Sequence, residues 1–223
     1  MCFSTVASFS ASIGLGIIGS ASLLKVKEPG QYAIAGIPLV FAMQQCVEGV
    51  VWLSLTKSGW EGYQSSASFL YLLIAQVIWP LWLPLAFWLF EKDEKRKKVL
   101  KLFLLPAIII AGYFLFWLIS IPREISVVNH HIFYKLDLPV KLIPFAAFLY
   151  LVSTIIPPLW SRNIYIRLMG VVLLASYIVS RIFFQPSLFS VWCFLAILIG
   201  ILVYLVIRGE KSITIQKSMA GIV

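Results

Sequence analysis

Charge is what this sequence has least of. Asp, Glu, Lys and Arg make up 12% of its 223 residues, hydrophobic residues make up 61%, and only nine residues are acidic. Soluble domains carry about 25% charged residues, so a chain that mostly faces water is excluded. Histidine is confined to His130 and His131, and cysteine to Cys2, Cys46 and Cys193. No CxxC or HExxH spacing accompanies them, so no zinc site of the motif type is present. The first apolar stretch lacks a basic leading region and a clear small-residue cleavage site. It reads as a retained helix rather than a signal peptide.

What is there is apolar sequence in membrane lengths. Mean hydropathy is +0.97. Seven apolar stretches run over 5–24, 33–55, 66–90, 100–121, 139–160, 165–184 and 188–207, each close to the roughly 20 residues that cross a bilayer. They leave no room for a second, soluble domain. The expected fold is an all-α membrane protein, one integral membrane domain over 1–223 with seven transmembrane helices. Pro80 and Pro84 fall inside the third stretch, and Pro144, Pro157 and Pro158 inside the fifth. Such breaks are tolerated where neighbours satisfy the freed carbonyls.

Lysine and arginine set the expected orientation. Lys25, Lys27, Lys92, Lys95, Arg96, Lys97, Lys98, Lys101, Arg162, Arg167, Arg208, Lys211 and Lys217 fall on one side. Lys57, Arg123, Lys135, Lys141 and Arg181 fall on the other. The N-terminus is therefore expected outside and the C-terminus inside. Most of the +9 net charge reflects this asymmetry. The Lys92–Lys101 run is expected to be a cytoplasmic loop touching anionic lipid headgroups. It lies between two apolar spans, so no nucleic-acid partner is expected. Trp52, Trp60, Trp79, Trp82, Trp88, Trp117, Trp160 and Trp192 read as interface anchors, with Trp79 and Trp82 alternatively packing around a kink at Pro80.

Glu48 is the one acidic residue inside a membrane-length segment. A carboxylate in hydrocarbon costs several kcal/mol, roughly 2.5–3.5 on insertion scales, so it needs a partner, a proton or a cavity. It lies about two turns, roughly 10 Å, inside the outer end of the second helix. Gln44 and Gln45 precede it at four and three residues, so all three share a helix face with Trp52. That face should point into the bundle. Arg181, at matching depth in the sixth helix, is the expected basic partner, and a Glu48–Arg181 or Glu48–glutamine clamp is the structural alternative to a ligand or proton site.

The other polar residues map to the same outer side. The loop between the fourth and fifth spans carries Asn129, His130, His131, Tyr134 and Asp137. Cys2 with Ser4 opens the first helix, and Trp192 with Cys193 opens the seventh. Cys2, His131, Cys193 and Glu48 form a conceivable metal-ligand set, since zinc accepts sulfur, imidazole and carboxylate. An oxidising compartment would alternatively permit a Cys2–Cys193 disulfide. Cys46 is expected to behave as a small buried apolar residue. The small residues of the first helix read as packing. Ser153, Thr154, Ser176, Tyr177 and Ser180 either line a polar path toward Glu48 or bond the carbonyl one turn back.

The opening Met1-Cys2-Phe3-Ser4, followed by Ala7-Ser8-Phe9, resembles a family of small multi-pass bacterial membrane proteins of unknown function. Gln45 with Glu48-Gly49, Tyr71 to Ala75, His131-Ile132 with Tyr134, and Trp192-Cys193-Phe194 are similar to further pieces of that pattern. The resemblance covers the whole chain, implies a bacterial inner-membrane location and agrees with seven helices. It implies no activity. Other seven-helix families fit less well: the last span has no lysine for retinal and no HxxxH motif of the ceramidase-like hydrolases. The echo of Tyr71–Trp82 in Tyr150–Trp160 links helices three and five, whereas sugar semi-transporters repeat at an offset of four.

The leading expectation is an outward-facing polar pocket around Glu48 that binds or senses a small ligand or lipid headgroup. Gln44, Gln45, His131, Tyr134 and Arg181 are its further candidates. The alternatives are a membrane-embedded, metal-dependent enzyme acting on lipid and a proton-coupled transporter. No cofactor is identified.

Overall fold

The computed structural model describes residues 4–128, 130–184, 187–195 and 198–219, the side chains of Leu195 and residues 210–219 excepted. Among these, seven helices are long and apolar enough to cross a membrane. They are α1 (Thr5–Leu23), α2 (Pro29–Thr56), α3 (Glu61–Phe90), α4 (Glu94–Ser120), α5 (Val140–Leu159), α6 (Ile164–Phe183) and α7 (Leu188–Gly209). Short polar side chains start three of them by accepting from otherwise unbonded backbone N–H groups. Ser4 accepts from Ala7 at 3.3 Å, Asp93 from Lys95 and Arg96 at 3.0 and 3.2 Å, and Asn163 from Tyr165 at 2.9 Å. Pro29 starts α2 four residues earlier than hydropathy suggests, because its fixed φ suits a first turn.

Two expectations need correction. The basic run is a helix, Glu94–Leu102, rather than a loop. Asp93 caps it, and Lys, Arg, Glu and Leu are all good helix formers. The chain bends at Phe103 and continues as Leu104–Ser120. The fold is also not purely α. The connection between α4 and α5 contains an antiparallel hairpin, β1 (Glu124–Val128) paired with β2 (His131–Lys135), in register from Glu124 opposite Lys135 to Val128 opposite His131. His130 in the turn takes the left-handed region, with φ 63°. Alternation along β2 buries Ile132 and Tyr134 and turns His131, Phe133 and Lys135 to the other face.

The helices pack closely where side chains are small. A Cβ on Gly49 would meet the Phe9 ring at 2.8 Å, and one on Gly200 would meet Leu15 at 2.9 Å. These glycines bring α2 and α7 against α1, as expected of small residues between membrane helices. Helix α3 is irregular in its middle, where Leu73–Ile78 winds as a π-helix. In that winding each N–H reaches the carbonyl five residues back. Pro80 has no N–H, so the Ala75 carbonyl loses its donor. The Tyr150 hydroxyl of α5 supplies one at 2.5 Å.

The two ends of the bundle differ. At one end Lys92 pairs with Glu28, Arg162 with Asp93, and Lys25 donates to the Tyr204 hydroxyl. At the other lies the hairpin, where Lys135 engages both Glu124 and Asp137. At the basic end, donation from the Arg96 backbone N–H, together with the other groups around it, holds the Asp93 carboxyl below its usual range.

Candidate functional site

Glu48, Gln44 and Gln45 are all fully buried, 0% exposed, on the inner face of α2. The periodic spacing that placed them on one face is borne out. The neighbours are mostly uncharged. One Glu48 oxygen accepts from the Ser190 hydroxyl of α7 at 2.5 Å, and the other accepts from Gln45 Nε2 at 3.1 Å. Gln44 ties three helices together: its carbonyl accepts from Trp79 Nε1 of α3 at 2.6 Å, and its amide donates to Cys193 Sγ of α7 at 3.1 Å. The Tyr71 hydroxyl lies beside both Glu48 and Cys193 and donates to the Phe189 carbonyl at 3.2 Å.

The hairpin closes this cluster. Tyr134 stacks flat on Tyr71, with ring centroids 4.8 Å apart and planes 7° from parallel. Tyr134, Ile132, Trp52, Tyr71, Leu118 and Cys193 belong to one packed cluster. Burial raises the Tyr134 phenol well above its ordinary value, with Glu48 adding to the effect, so this hydroxyl is neutral and available as a donor.

Several polar atoms here have no hydrogen-bond partner. They are Gln45 Oε1, Trp52 Nε1 and the Tyr134 hydroxyl. Buried polar groups in folded proteins are overwhelmingly paired. Three such atoms, from α2 and the hairpin, lie in or beside this one cluster.

Not every sequence-based candidate joins the cluster. Arg181 does not pair with Glu48; it is exposed in the last turn of α6 and lines a different cavity. Counting from the helix ends put the two at matching depth, but Glu48 is buried on α2 while Arg181 is exposed and lines the cavity. His131 faces away from the buried side of β2 and meets Phe184 edge-on at 5.1 Å. Its imidazole is held below the usual pKa by burial and by neighbouring charge, including His130. No group of three His, Cys, Asp or Glu residues suited to a metal occurs among the described residues. Cys2, the remaining candidate ligand and disulfide partner, lies outside them. Cys193 is a buried free thiol. Cys46 is exposed rather than buried, because one residue beyond Gln45 the helix has turned about 100° from the polar face. Trp52, Trp79 and Trp192 belong to the core rather than the interface, while Trp60 and Trp160 are exposed.

Sequence reasoning missed Ser190 and the role of Tyr71. The only available signal for Ser190 was its three-residue spacing from Cys193, which puts both on one face of α7. Ser153, Thr154 and Ser176 bond carbonyls three or four residues back at 2.8–3.0 Å, the packing alternative.

Two cavities lie near the cluster. A small one of about 20 Å³ touches Cys193, Trp79, Tyr150 and Trp192, which is room for about one water. A larger one of about 430 Å³ lies among the hairpin-side ends of α4 to α7. Tyr150 and Trp192 line both and stand 5.6 Å apart between ring centroids.

The fold and this buried centre define a multi-pass helical membrane protein with a polar core closed by a β-hairpin. The chain belongs to the family of unknown function DUF6629, which matches residues 1–218. No curated protein and no solved structure matches it.

Proposed function

We propose that this is a polytopic membrane protein that binds or senses a small polar ligand, or a lipid headgroup, at the Glu48 centre. One observation carries the reading: a buried carboxylate held only by neutral donors, with unpaired polar atoms from α2 and β2 beside it. A purely structural network gains from being fully satisfied and loses heavily when it is not. Unpaired acceptors and donors beside a carboxylate suit a ligand rich in hydrogen-bond donors, such as an amine or a polyol. The lysine and arginine asymmetry supports a hairpin end that faces outside and an α4 basic segment lying against anionic headgroups of a bacterial inner membrane.

The test is a thermal-shift screen of the purified protein against amino acids, primary amines, polyols and phosphoethanolamine. The expected result is stabilisation by at least one of them that disappears in Glu48→Gln. Identical responses of wild type and variant across the panel would refute the reading.

A second reading, proton-coupled transport with Glu48 as carrier, has one specific observation in its favour. Helix α3 winds as a π-helix beside the centre, just before Pro80, and π-turns inside helices are frequent at functional sites. Proton flux in proteoliposomes that is unchanged by Glu48→Gln would argue against it.

A further inference from the structure

The larger cavity adjoins the Glu48 centre but has a different chemistry. Its volume of about 430 Å³ falls in the range of small-molecule sites, roughly 300–1,000 Å³. Its walls are apolar and aromatic, with Phe114, Ile143, Tyr177 and Trp192 among them, and among the described residues Arg181 is the one charged residue lining it.

Arg181 has no acidic partner among the described residues. The acids on the hairpin, Glu124 and Asp137, are both engaged by Lys135. Arg181 complements the carbonyl end of α6, but a helix end carries only partial charge and leaves a full positive charge to be met. Guanidinium matches a phosphate with two parallel hydrogen bonds.

Position selects the source of that phosphate. Arg181 lies two residues from the end of a membrane-length helix, where headgroups sit. The cavity reaches apolar surface at Ile143 in its wall, which is 44% exposed. An apolar chamber at that depth, adjoining such a surface and carrying one unmatched cation, fits a lipid better than a soluble anion.

We propose that this cavity binds a phospholipid of the surrounding bilayer, an acyl chain lying against α5 and α6 and its phosphate on Arg181. The site stands whether or not the Glu48 centre takes a ligand.

Native mass spectrometry of the delipidated full chain, with phosphatidylglycerol, diacylglycerol or inorganic phosphate added back, tests it. One phospholipid per chain is expected, with diacylglycerol and inorganic phosphate each binding much more weakly. Arg181→Gln should weaken retention roughly ten- to a hundredfold, the loss expected for charge-assisted hydrogen bonds. Ala147→Phe keeps Arg181 and fills the chamber, so it should also weaken retention; Ala147 lines the same cavity. Arg181 is exposed, so its variant should melt with wild type. Diacylglycerol retained as tightly as phospholipid, saturation by inorganic phosphate alone, or both variants binding like wild type would overturn the proposal. The readout is lipid mass, so its failure is distinct from failure of the Glu48 reading.

Discussion

Removing the charge of Glu48 should cost the fold little, while removing its hydrogen-bonding capacity should cost much. The carboxylate oxygens accept from Ser190 at 2.5 Å and Gln45 at 3.1 Å, with the neutral Tyr71 hydroxyl beside them, and no cation pairs with Glu48 among the described residues. In Glu48→Gln the new carbonyl still accepts from Ser190. The new amide can donate to Gln45 once that amide turns over, since Gln45 Oε1 has no donor at present. The number of unpaired atoms is unchanged and a buried charge is gone, so stability should stay within about 1 kcal/mol of wild type. Glu48→Leu leaves both Ser190 and Gln45 without an acceptor. At about 1–3 kcal/mol for each stranded donor, the loss should reach roughly 2–6 kcal/mol. Ser190→Ala removes one donor and should fall between, at about 1–3 kcal/mol. Thermal unfolding in detergent reads these differences, at roughly 2–4 °C per kcal/mol for a chain of this size. If Glu48→Gln melted as low as Glu48→Leu, the charge would be matched by a cation and the account of a neutral-donor site would be wrong.

Further tests address the neighbouring structure. Tyr150→Phe strands the Ala75 carbonyl in the π-helical turn and should cost about 1–3 kcal/mol by the same melting assay; an unchanged melt would show another donor there. Gly49→Ala pushes a methyl group into the Phe9 ring between α1 and α2 and should cost about 1–3 kcal/mol, whereas Gly62→Ala, with open space around it, should melt close to wild type. His131 has a depressed folded pKa, so the unfolded or undocked imidazole binds protons first. Hairpin stability should therefore be full above its ordinary value of 6.5 and fall as pH drops below it. Hydrogen exchange of the hairpin amides should show the decline, and His131→Phe should flatten it.

The bilayer made the seven spans legible, because each must present about 20 apolar residues whatever surrounds it. Helical periodicity likewise made the face shared by Gln44, Gln45 and Glu48 legible. The partner of Glu48 was not. Ser190 lies 142 residues away, and α7 meets α2 through tertiary packing that no local period encodes. Arg181 shows the same limit from the other side: depth gives one coordinate, while the angle around the bundle decides contact. The hairpin did leave a trace, with Ile125, Val127, Ile132 and Tyr134 alternating around a two-residue connection. His130 in the left-handed position stands where glycine or asparagine usually announces such a turn.

The most direct test is an experimental density map of the Glu48 centre in the purified protein. The account predicts ordered non-protein density within hydrogen-bonding distance of Gln45 Oε1 and the Tyr134 hydroxyl, beneath the docked hairpin. A map in which both atoms are bonded to protein groups, with Glu48 paired to a cation of the chain, would contradict it.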